Sequence, residues 1–155
     1  MLRLSRKMLF ALEAVVDIAY NARPEPVQSK EITRRQGIPQ RYLEQVMQQL
    51  VHAGVLKGVR GPKGGYRLAR ERRRITVGEI IRVVGAIENA EDEEDGGEGQ
   101  PMTSDLGRKV VQPLWSELHE TIMLKLDSIT VEDLCRRAEG AGVHSEGRER
   151  MDFSI

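Results

Sequence analysis

The sequence predicts a mainly α-helical fold with one small β-hairpin. Apolar residues recur every three to four positions in several segments, and Pro or Gly separates these segments. The run from Val59 to Leu68 places Gly, Pro and Lys between two short β-prone stretches, which is typical of a hairpin. The 155 residues, with 4% aromatic, indicate one aliphatic-cored domain with or without an appendage.

The first predicted helix begins after Ser5, which can cap it, and ends near Asn21. Pro24 and Pro26 follow and cannot continue a helix. Its apolar face is predicted to consist of Met8, Leu9, Leu12, Val15, Val16, Ala19 and Tyr20.

Two further helices form a helix–turn–helix pattern. Ser29 is predicted to cap a short helix from Lys30 to Gln36, and Gly37 suits the left-handed position that follows. Pro39 suits the first position of the next helix, which runs to about Ala53. One face of that helix is apolar and consists of Leu43, Val46, Met47 and Leu50.

The hairpin follows directly, with predicted strands at Val55–Val59 and Tyr66–Ala69. A hairpin after a helix–turn–helix is the layout of a winged-helix domain, which we assign to residues 1–87. Thr76 and Glu79 fit a reciprocal capping box. The helix that they open is predicted to bury Ile80, Ile81, Val84 and Ile87.

The C-terminal half changes character. Residues 88–103 are an acidic, glycine-containing segment, predicted as a mobile loop. Residues 104–138 are predicted to form a long helix, firmest from Val111 to Leu126, and a short one that begins at Thr130. Pro113 lies in the first turn of the long helix, or kinks it if the helix begins near Asp105. Residues 139–155 are predicted to be a flexible tail.

The charge is divided between the two halves. Residues 1–82 contain 17 Lys and Arg against 7 Asp and Glu, and residues 83–155 contain 7 against 17. Such asymmetry points to an anionic partner for the first half, for which double-stranded DNA is the usual candidate. The alternative is two oppositely charged surfaces without a specific partner. The chain has no apolar run of about 18 residues, so no membrane partner is expected.

The second helix of a helix–turn–helix presents its N-terminal residues to base edges in the major groove. Gln can pair with adenine and Arg with guanine, while Glu can accept a hydrogen bond from cytosine. Glu44 is informative because a carboxylate near phosphates is unfavourable unless it meets a donor; the alternative is a solvated helix residue. The predicted base-reading residues are Gln40, Arg41, Tyr42, Glu44 and Gln45.

The wing tip carries Arg60, Gly61 and Lys63, which suit a narrow minor groove because its negative potential attracts cations. The alternative is a plain tight hairpin with solvated cations. Ser29, Arg34 and Arg35 are predicted to contact phosphates.

Six motifs together resemble one known family. They are Arg3-Leu4-Ser5, Gly37-Ile38 with Tyr42-Leu43-Glu44-Gln45, Val59-Arg60-Gly61-Pro62 with Gly64-Gly65-Tyr66, Ile75-Thr76-Val77-Gly78-Glu79-Ile80-Ile81, Leu114-Trp115, and Ile129-Thr130-Val131-Glu132-Asp133-Leu134. Over about residues 1–138 the chain resembles the IscR, NsrR and CymR type (Rrf-two) family of bacterial winged-helix regulators.

The resemblance implies a homodimer on partly palindromic promoter DNA. It implies base reading by Arg41, Glu44 and Gln45, and entry of Arg60 and Gly61 into the minor groove. It also implies that the long helix is a dimerisation helix, and its apolar stripe supports this. The predicted dimer residues are Val111, Trp115, Leu118, Ile122 and Leu126.

The chain departs from the iron–sulfur members of that family. Those members hold their cluster with three cysteines in the loop before the long helix, where this chain has none. Gln112 and Pro113 occupy the place of a further ligand, and Cys135 is the only cysteine. We therefore expect no cluster, no other cofactor and no metal site. Three switches remain open: a regulatory protein or small metabolite, oxidation of Cys135, and a divalent cation held by the acidic segment.

The expected function is a cytoplasmic, sequence-specific transcription regulator that acts as a repressor. An enzyme is not expected, because no nucleophile–base pair, phosphate-binding loop or metalloprotease spacing occurs. The alternative from another class is a winged helix used for protein–protein interaction.

Overall fold

A computed structural model of the protein describes residues 5–94 and 103–147. Within these ranges, six helices and one two-stranded antiparallel sheet confirm the predicted fold class. In chain order they are α1 (Arg6–Tyr20), α2 (Ser29–Gln36), α3 (Gln40–His52), β1 (Leu56–Val59), β2 (Gly65–Leu68), a 3-10 turn (Arg72–Arg74), α4 (Val77–Glu94), a π-helical turn (Gly107–Val111), α5 (Gln112–Asp127) and α6 (Val131–Gly140).

Helix α1 lies at the centre of the fold and packs against α2, α3, α4, α6 and β2. Ser5 caps it as predicted, accepting a hydrogen bond from the Met8 amide at 3.2 Å. Small side chains such as Ala11 and Ala14 are fully buried and allow the neighbouring helices to approach closely. Leu9 was expected in the core but is 47% exposed, because the buried face of α1 is centred on these alanines.

The helix–turn–helix forms with its boundaries shifted by one residue. Gln28, and not Ser29, is the cap of α2, and its amide donates to the Glu31 carboxylate at 2.8 Å. Gly37 has the predicted left-handed conformation (φ 68°). Pro39 is the cap of α3 and not its first helical residue, since its ψ is 132°. The predicted apolar face of α3 is buried.

The hairpin is anchored to the connection between α1 and α2. Within it, Leu56 lies opposite Leu68 and Val59 lies opposite Gly65. The Val27 amide donates to the Tyr66 carbonyl at 3.0 Å, and the Tyr66 amide donates to the Val27 carbonyl at 2.7 Å. The sequence analysis did not identify this bridge, which fixes the base of the wing.

Helix α4 opens with the predicted capping box. The Glu79 amide donates to the Thr76 hydroxyl at 3.1 Å, and the Thr76 amide donates to the Glu79 carboxylate at 3.3 Å. The helix continues to Glu94, so the prediction of a loop is wrong for residues 88–94. Glu is a good helix former, and extending a capped helix costs less than starting one. Residues 95–102 and the side chain of Ile87 lie outside the described residues.

The long C-terminal helix begins at Asp105, which confirms the earlier of its two predicted starts. It passes through the π-helical turn, where the Gln112 amide donates to the Gly107 carbonyl, and continues as α5. Pro113 is the second residue after this turn. Because proline has no amide hydrogen and crowds the preceding turn, the wider π turn accommodates it within one helix.

The C-terminal helices are joined directly to the winged-helix part. The Val77 amide donates to the Ile129 carbonyl at 2.8 Å, and the Val131 amide donates to the Ile75 carbonyl at 2.9 Å. Thr130 caps α6 as predicted.

Residues 143–147 lie against the end of α1, so the prediction of a flexible tail is wrong for residues 139–147. The Tyr20 hydroxyl donates to the Val143 carbonyl at 2.6 Å, and the Ser145 hydroxyl donates to the Tyr20 carbonyl at 2.7 Å. The Glu146 amide donates to the Asn21 side chain at 2.9 Å. Tyr20 and the C-cap residue Asn21 thus hold a segment that has no hydrophobic period of its own. Residues 148–155 lie outside the described residues.

Candidate nucleic-acid interface

The first half of α3 presents a polar outer face. Gln40, Arg41, Glu44 and Gln45 are exposed, and Tyr42 is half-buried. This face is outward because Leu43, Val46, Met47 and Leu50 on the other side of the helix are buried in the core. Four of the five predicted base-reading side chains are therefore together at the surface, where one groove of DNA could meet them.

Two of these side chains are joined in a short hydrogen-bond chain that begins on α2. The Thr33 hydroxyl donates to Gln40 Oε1 at 3.0 Å. Gln40 Nε2 donates in turn to Glu44 Oε1 at 3.1 Å. The sequence analysis did not identify Thr33 as a site residue, because nothing in its local pattern indicates a contact with the next helix.

Tyr42 links α3 to α1. Its ring lies 6.2 Å from that of Phe10, tilted by 39°, and the Arg41 guanidinium lies 5.3 Å from its centroid. Such contacts are favourable because the cation meets the negative face of the ring. Tyr42 thus supports the position of Arg41.

The tip of the wing is exposed and positively charged. Arg60, Gly61 and Lys63 are all exposed, and Arg60 and Lys63 form no ion pair with any carboxylate that the structure describes. Gly61 has a φ of 112°, which other residues rarely adopt, and its carbonyl accepts from the Gly64 amide at 2.9 Å. A Cβ atom on Gly64 would lie 2.2 Å from the Val59 carbonyl oxygen, so the tight turn requires glycine there.

The arginines after the hairpin are largely neutralised. Arg70 pairs with Glu79 at 2.7 Å and Arg73 with Glu71 at 2.5 Å. Arg72 pairs with Glu132 of α6. This connector, which contains the 3-10 turn, is therefore less cationic than its sequence indicates.

Arg35 is occupied inside the protein. Its side chain is 10% exposed and donates to both carboxylate oxygens of the fully buried Asp17, at 2.9 and 2.8 Å, and to Glu146 at 2.6 Å. The hydrogen bonds to Asp17 raise the pKa of Arg35. The geometry argues against the predicted phosphate contact, because this guanidinium already has its partners.

The other two predicted phosphate contacts remain at the surface. Arg34 is 63% exposed, although it donates to both carboxylate oxygens of Glu146 at 3.0 Å. Ser29 is half-buried at the first position of α2. A phosphate could reach the first turn of α2 directly, but it would compete with Glu146 for Arg34.

An apolar face runs along the π-helical turn and α5. Val111, Trp115, Leu118 and Ile122 are each between 40% and 49% exposed. Leu126, which was predicted to share this face, instead packs against the core. An apolar stripe of this length is more than a solvated surface helix needs.

Cys135 does not fit an iron–sulfur cluster. It is buried in α6, and burial raises the pKa of its thiol, which disfavours the thiolate that iron requires. The chain has no second cysteine. Among residues 5–94 and 103–147, no group of three or more His, Cys, Asp and Glu could hold a metal ion. In the same ranges, no helix has the length and apolar composition to cross a bilayer.

Comparison with known proteins gives consistent matches. A family model described as Rrf2, iron-dependent transcriptional regulator, matches residues 4–137. The HTH-type transcriptional regulator IscR of Xenorhabdus nematophila is 36% identical over 138 residues, which cover 89% of this chain and 82% of that protein. IscR of Vibrio campbellii is 34% identical over 154 residues, which cover 99% of this chain and 88% of that protein.

Two solved structures are similar. IscR of T. potens has a TM-score of 0.71 and 35% identity, covering 93% of each chain. CymR (YrzC), described as the global cysteine regulator of B. subtilis, has a TM-score of 0.66 and 29% identity, covering 88% of this chain and 98% of that one. Because the coverage is this high, the likeness includes the C-terminal helices as well as the winged-helix part.

Proposed function

The chain belongs to the Rrf2 family of transcriptional regulators, and on that premise we propose that it represses transcription as a homodimer on a palindromic promoter site, without an iron–sulfur cluster. DNA-binding regulation itself follows from the family, whose members are not enzymes. The oligomeric state, the absence of a cluster and the individual contacts are our proposals.

The observation that carries the proposal is the exposed polar face of α3 beside a wing tip with unpaired cations. Arg41, Glu44 and Gln45 offer hydrogen-bonding groups to base edges in a major groove. Arg60 and Lys63 suit the adjacent minor groove and the phosphates, because neither is neutralised within the described residues. Glu44 supports sequence readout over bulk attraction, since a purely electrostatic site would gain from its absence.

The homodimer is supported by the apolar face of α5. Val111, Trp115, Leu118 and Ile122 lie on one side of the helix, where a second copy can cover them. Two recognition helices related by two-fold symmetry would meet half-sites about one helical turn apart, hence a palindrome.

The cluster-free state is supported by the chemistry of the thiols. A cluster needs several cysteine thiolates, and this chain supplies one, in a buried position on α6. We infer that the signal reaches the protein through a regulatory protein or a small metabolite. Analysis of the freshly purified protein for iron and acid-labile sulfide tests the cluster-free state, and stoichiometric amounts of both would contradict it.

Selection of bound duplexes from a random pool tests the DNA proposal. A palindromic site is expected, bound at least 10³-fold more tightly than random duplex at physiological salt. Gln45→Ala should weaken binding to that site by about 1–3 kcal/mol and leave random binding nearly unchanged. Lys63→Ala should weaken both and lower the log–log salt slope by about one. A protein with no preference among duplexes would refute the proposal in favour of a protein-interaction module.

Sedimentation of a charged variant tests the dimer. Leu118→Asp places a carboxylate on the apolar face and should yield monomers with weakened operator binding. Leu124→Asp is the matched control, because Leu124 is also exposed but lies on the other side of α5 from Ile122. Dimers in both variants would place the interface elsewhere.

A further inference from the structure

We propose that Thr33 is a positioning residue for base readout, which holds Glu44 in one orientation through Gln40. The proposal rests on the proposed function, since it concerns which bases the regulator accepts. Thr33 itself lies on α2 and is not among the residues expected to touch bases. Its effect on DNA would be transmitted from the first helix of the helix–turn–helix to the second.

The direction of the two hydrogen bonds determines how Thr33 acts on Glu44 through Gln40. An ionised Glu44 can only accept, so the Gln40 amide nitrogen must face it, as the 3.1 Å contact shows. The Gln40 oxygen then faces the other way and needs a donor. The Thr33 hydroxyl supplies that donor at 3.0 Å, which disfavours the flipped amide.

The arrangement leaves capacity for DNA. Gln40 retains one amide hydrogen and one oxygen lone pair, which together are what a bidentate contact to adenine requires. Glu44 retains its second carboxylate oxygen, which can accept from the amino group of cytosine. Because Gln40 and Glu44 are one helical turn apart, both remaining groups lie on the outer face of α3.

A held carboxylate discriminates more sharply than a mobile one. If Glu44 were free to change rotamer, it could turn away from a base edge that offers only acceptors and so avoid the repulsion. Held by Gln40, it meets such an edge without a donor, and the wrong base is rejected. Loss of the Thr33 hydroxyl should therefore relax the preference at one base pair and leave the overall affinity for DNA intact.

Two variants of Thr33 separate this role from packing. Thr33→Val removes the hydroxyl and retains the shape, whereas Thr33→Ser retains the hydroxyl. We expect Thr33→Val to reduce the preference at the Glu44-dependent base pair by about five- to tenfold, with unchanged random binding, salt slope and melting temperature. Thr33→Ser should keep the wild-type preference. In a Glu44→Ala background, Thr33→Val should have no further effect at the base pair that Glu44 reads, because the carboxylate being positioned is gone.

The Gln40 side-chain amide gives a second readout that needs no DNA. NMR relaxation of its NH₂ group should show a restricted side chain in the wild type and in Thr33→Ser, and a side chain that moves between rotamers in Thr33→Val. A wild-type preference profile in Thr33→Val, or an equal effect in the Glu44→Ala background, would overturn the proposal. A wild type without any duplex preference refutes the proposed function, and the amide signals still decide whether Thr33 holds Gln40.

Discussion

Arg34 and Arg35 are adjacent on α2, and both contact Glu146, yet we expect their removal to have very different consequences. Arg35 is 10% exposed and neutralises the fully buried carboxylate of Asp17, whereas Arg34 is 63% exposed. Removing one partner of a buried ion pair costs about 3–5 kcal/mol, because the other charge stays buried and unpaired. Gln36 still donates to Asp17 at 2.8 Å, so we expect Arg35→Ala to cost about 3 kcal/mol.

Arg34→Ala is the matched control. An exposed pair is worth at most about 1 kcal/mol, because solvent screens it. Urea unfolding followed by circular dichroism measures both variants, and an unchanged slope shows that the same transition is compared. Asp17→Asn should recover part of the loss in the Arg35→Ala background, since an uncharged amide costs less to bury. Equal losses in the two arginine variants would refute the assignment of Asp17 as the carboxylate that needs neutralising.

Three further predictions concern stability. The hydrogen bond from Arg23 lowers the pKa of Glu31 from 4.5 to about 2, so the unfolded state binds more protons than the folded state between these pH values. In urea titrations, the stability of the wild type relative to Glu31→Gln should therefore fall as the pH drops from about 4.5 to about 2, and a constant difference would contradict this. Gly78→Ala should destabilise the protein by about 1–3 kcal/mol in thermal melts, because the added Cβ would lie 1.9 Å from Asp127 Oδ1, even though Ala favours a helix. The loss should be smaller in an Asp127→Ala background. A Gly78→Ala variant more stable than the wild type would show that the Asp127 side chain moves away without cost. Removal of residues 143–155 should lower the urea midpoint by the equivalent of about 1–3 kcal/mol, since three hydrogen bonds to the end of α1 and the ion pairs of Glu146 with Arg34 and Arg35 are lost. An unchanged midpoint would mean that these contacts add nothing to stability.

Local signals in the sequence predicted most of the secondary structure. Caps such as Ser5 and Thr130, and the left-handed Gly37, depend on chemistry within three or four residues, and a single sequence contains it. The error at Ser29 has the same local origin. Two neighbouring residues could begin α2, and the bond from the Gln28 amide to the Glu31 carboxylate determined which one does.

The features that the sequence did not reveal join residues of different elements or segments. Val27 pairs with Tyr66, Thr33 with Gln40 across a turn, and Glu146 with the arginines of α2. None of them belongs to a repeating pattern, so neither hydrophobic period nor capping chemistry indicates them. The exposed stripe of α5 was predicted by its period, but the period does not separate Leu126, which packs inward, from residues that face outward.

The division of charge has a different meaning once these long-range contacts are known. The acidic half supplies Glu132 to Arg72, Asp127 to Arg82 and Glu146 to Arg34 and Arg35, so part of the positive excess of the first half is neutralised within the fold.

The cations left free beside the predicted DNA face are few. Arg41, Lys57, Arg60 and Lys63 are exposed and unpaired within the described part of the chain. With a slope of about −0.9 per phosphate neutralised, four cations give a log–log salt slope of about −4 per protomer and about −7 for the proposed homodimer, which is shallower than 17 basic residues per protomer would give. Phosphate contacts alone do not distinguish one duplex from another, so the choice of site has to come from contacts with particular bases. This is why the orientation of Glu44, more than the number of arginines, should decide where the protein binds.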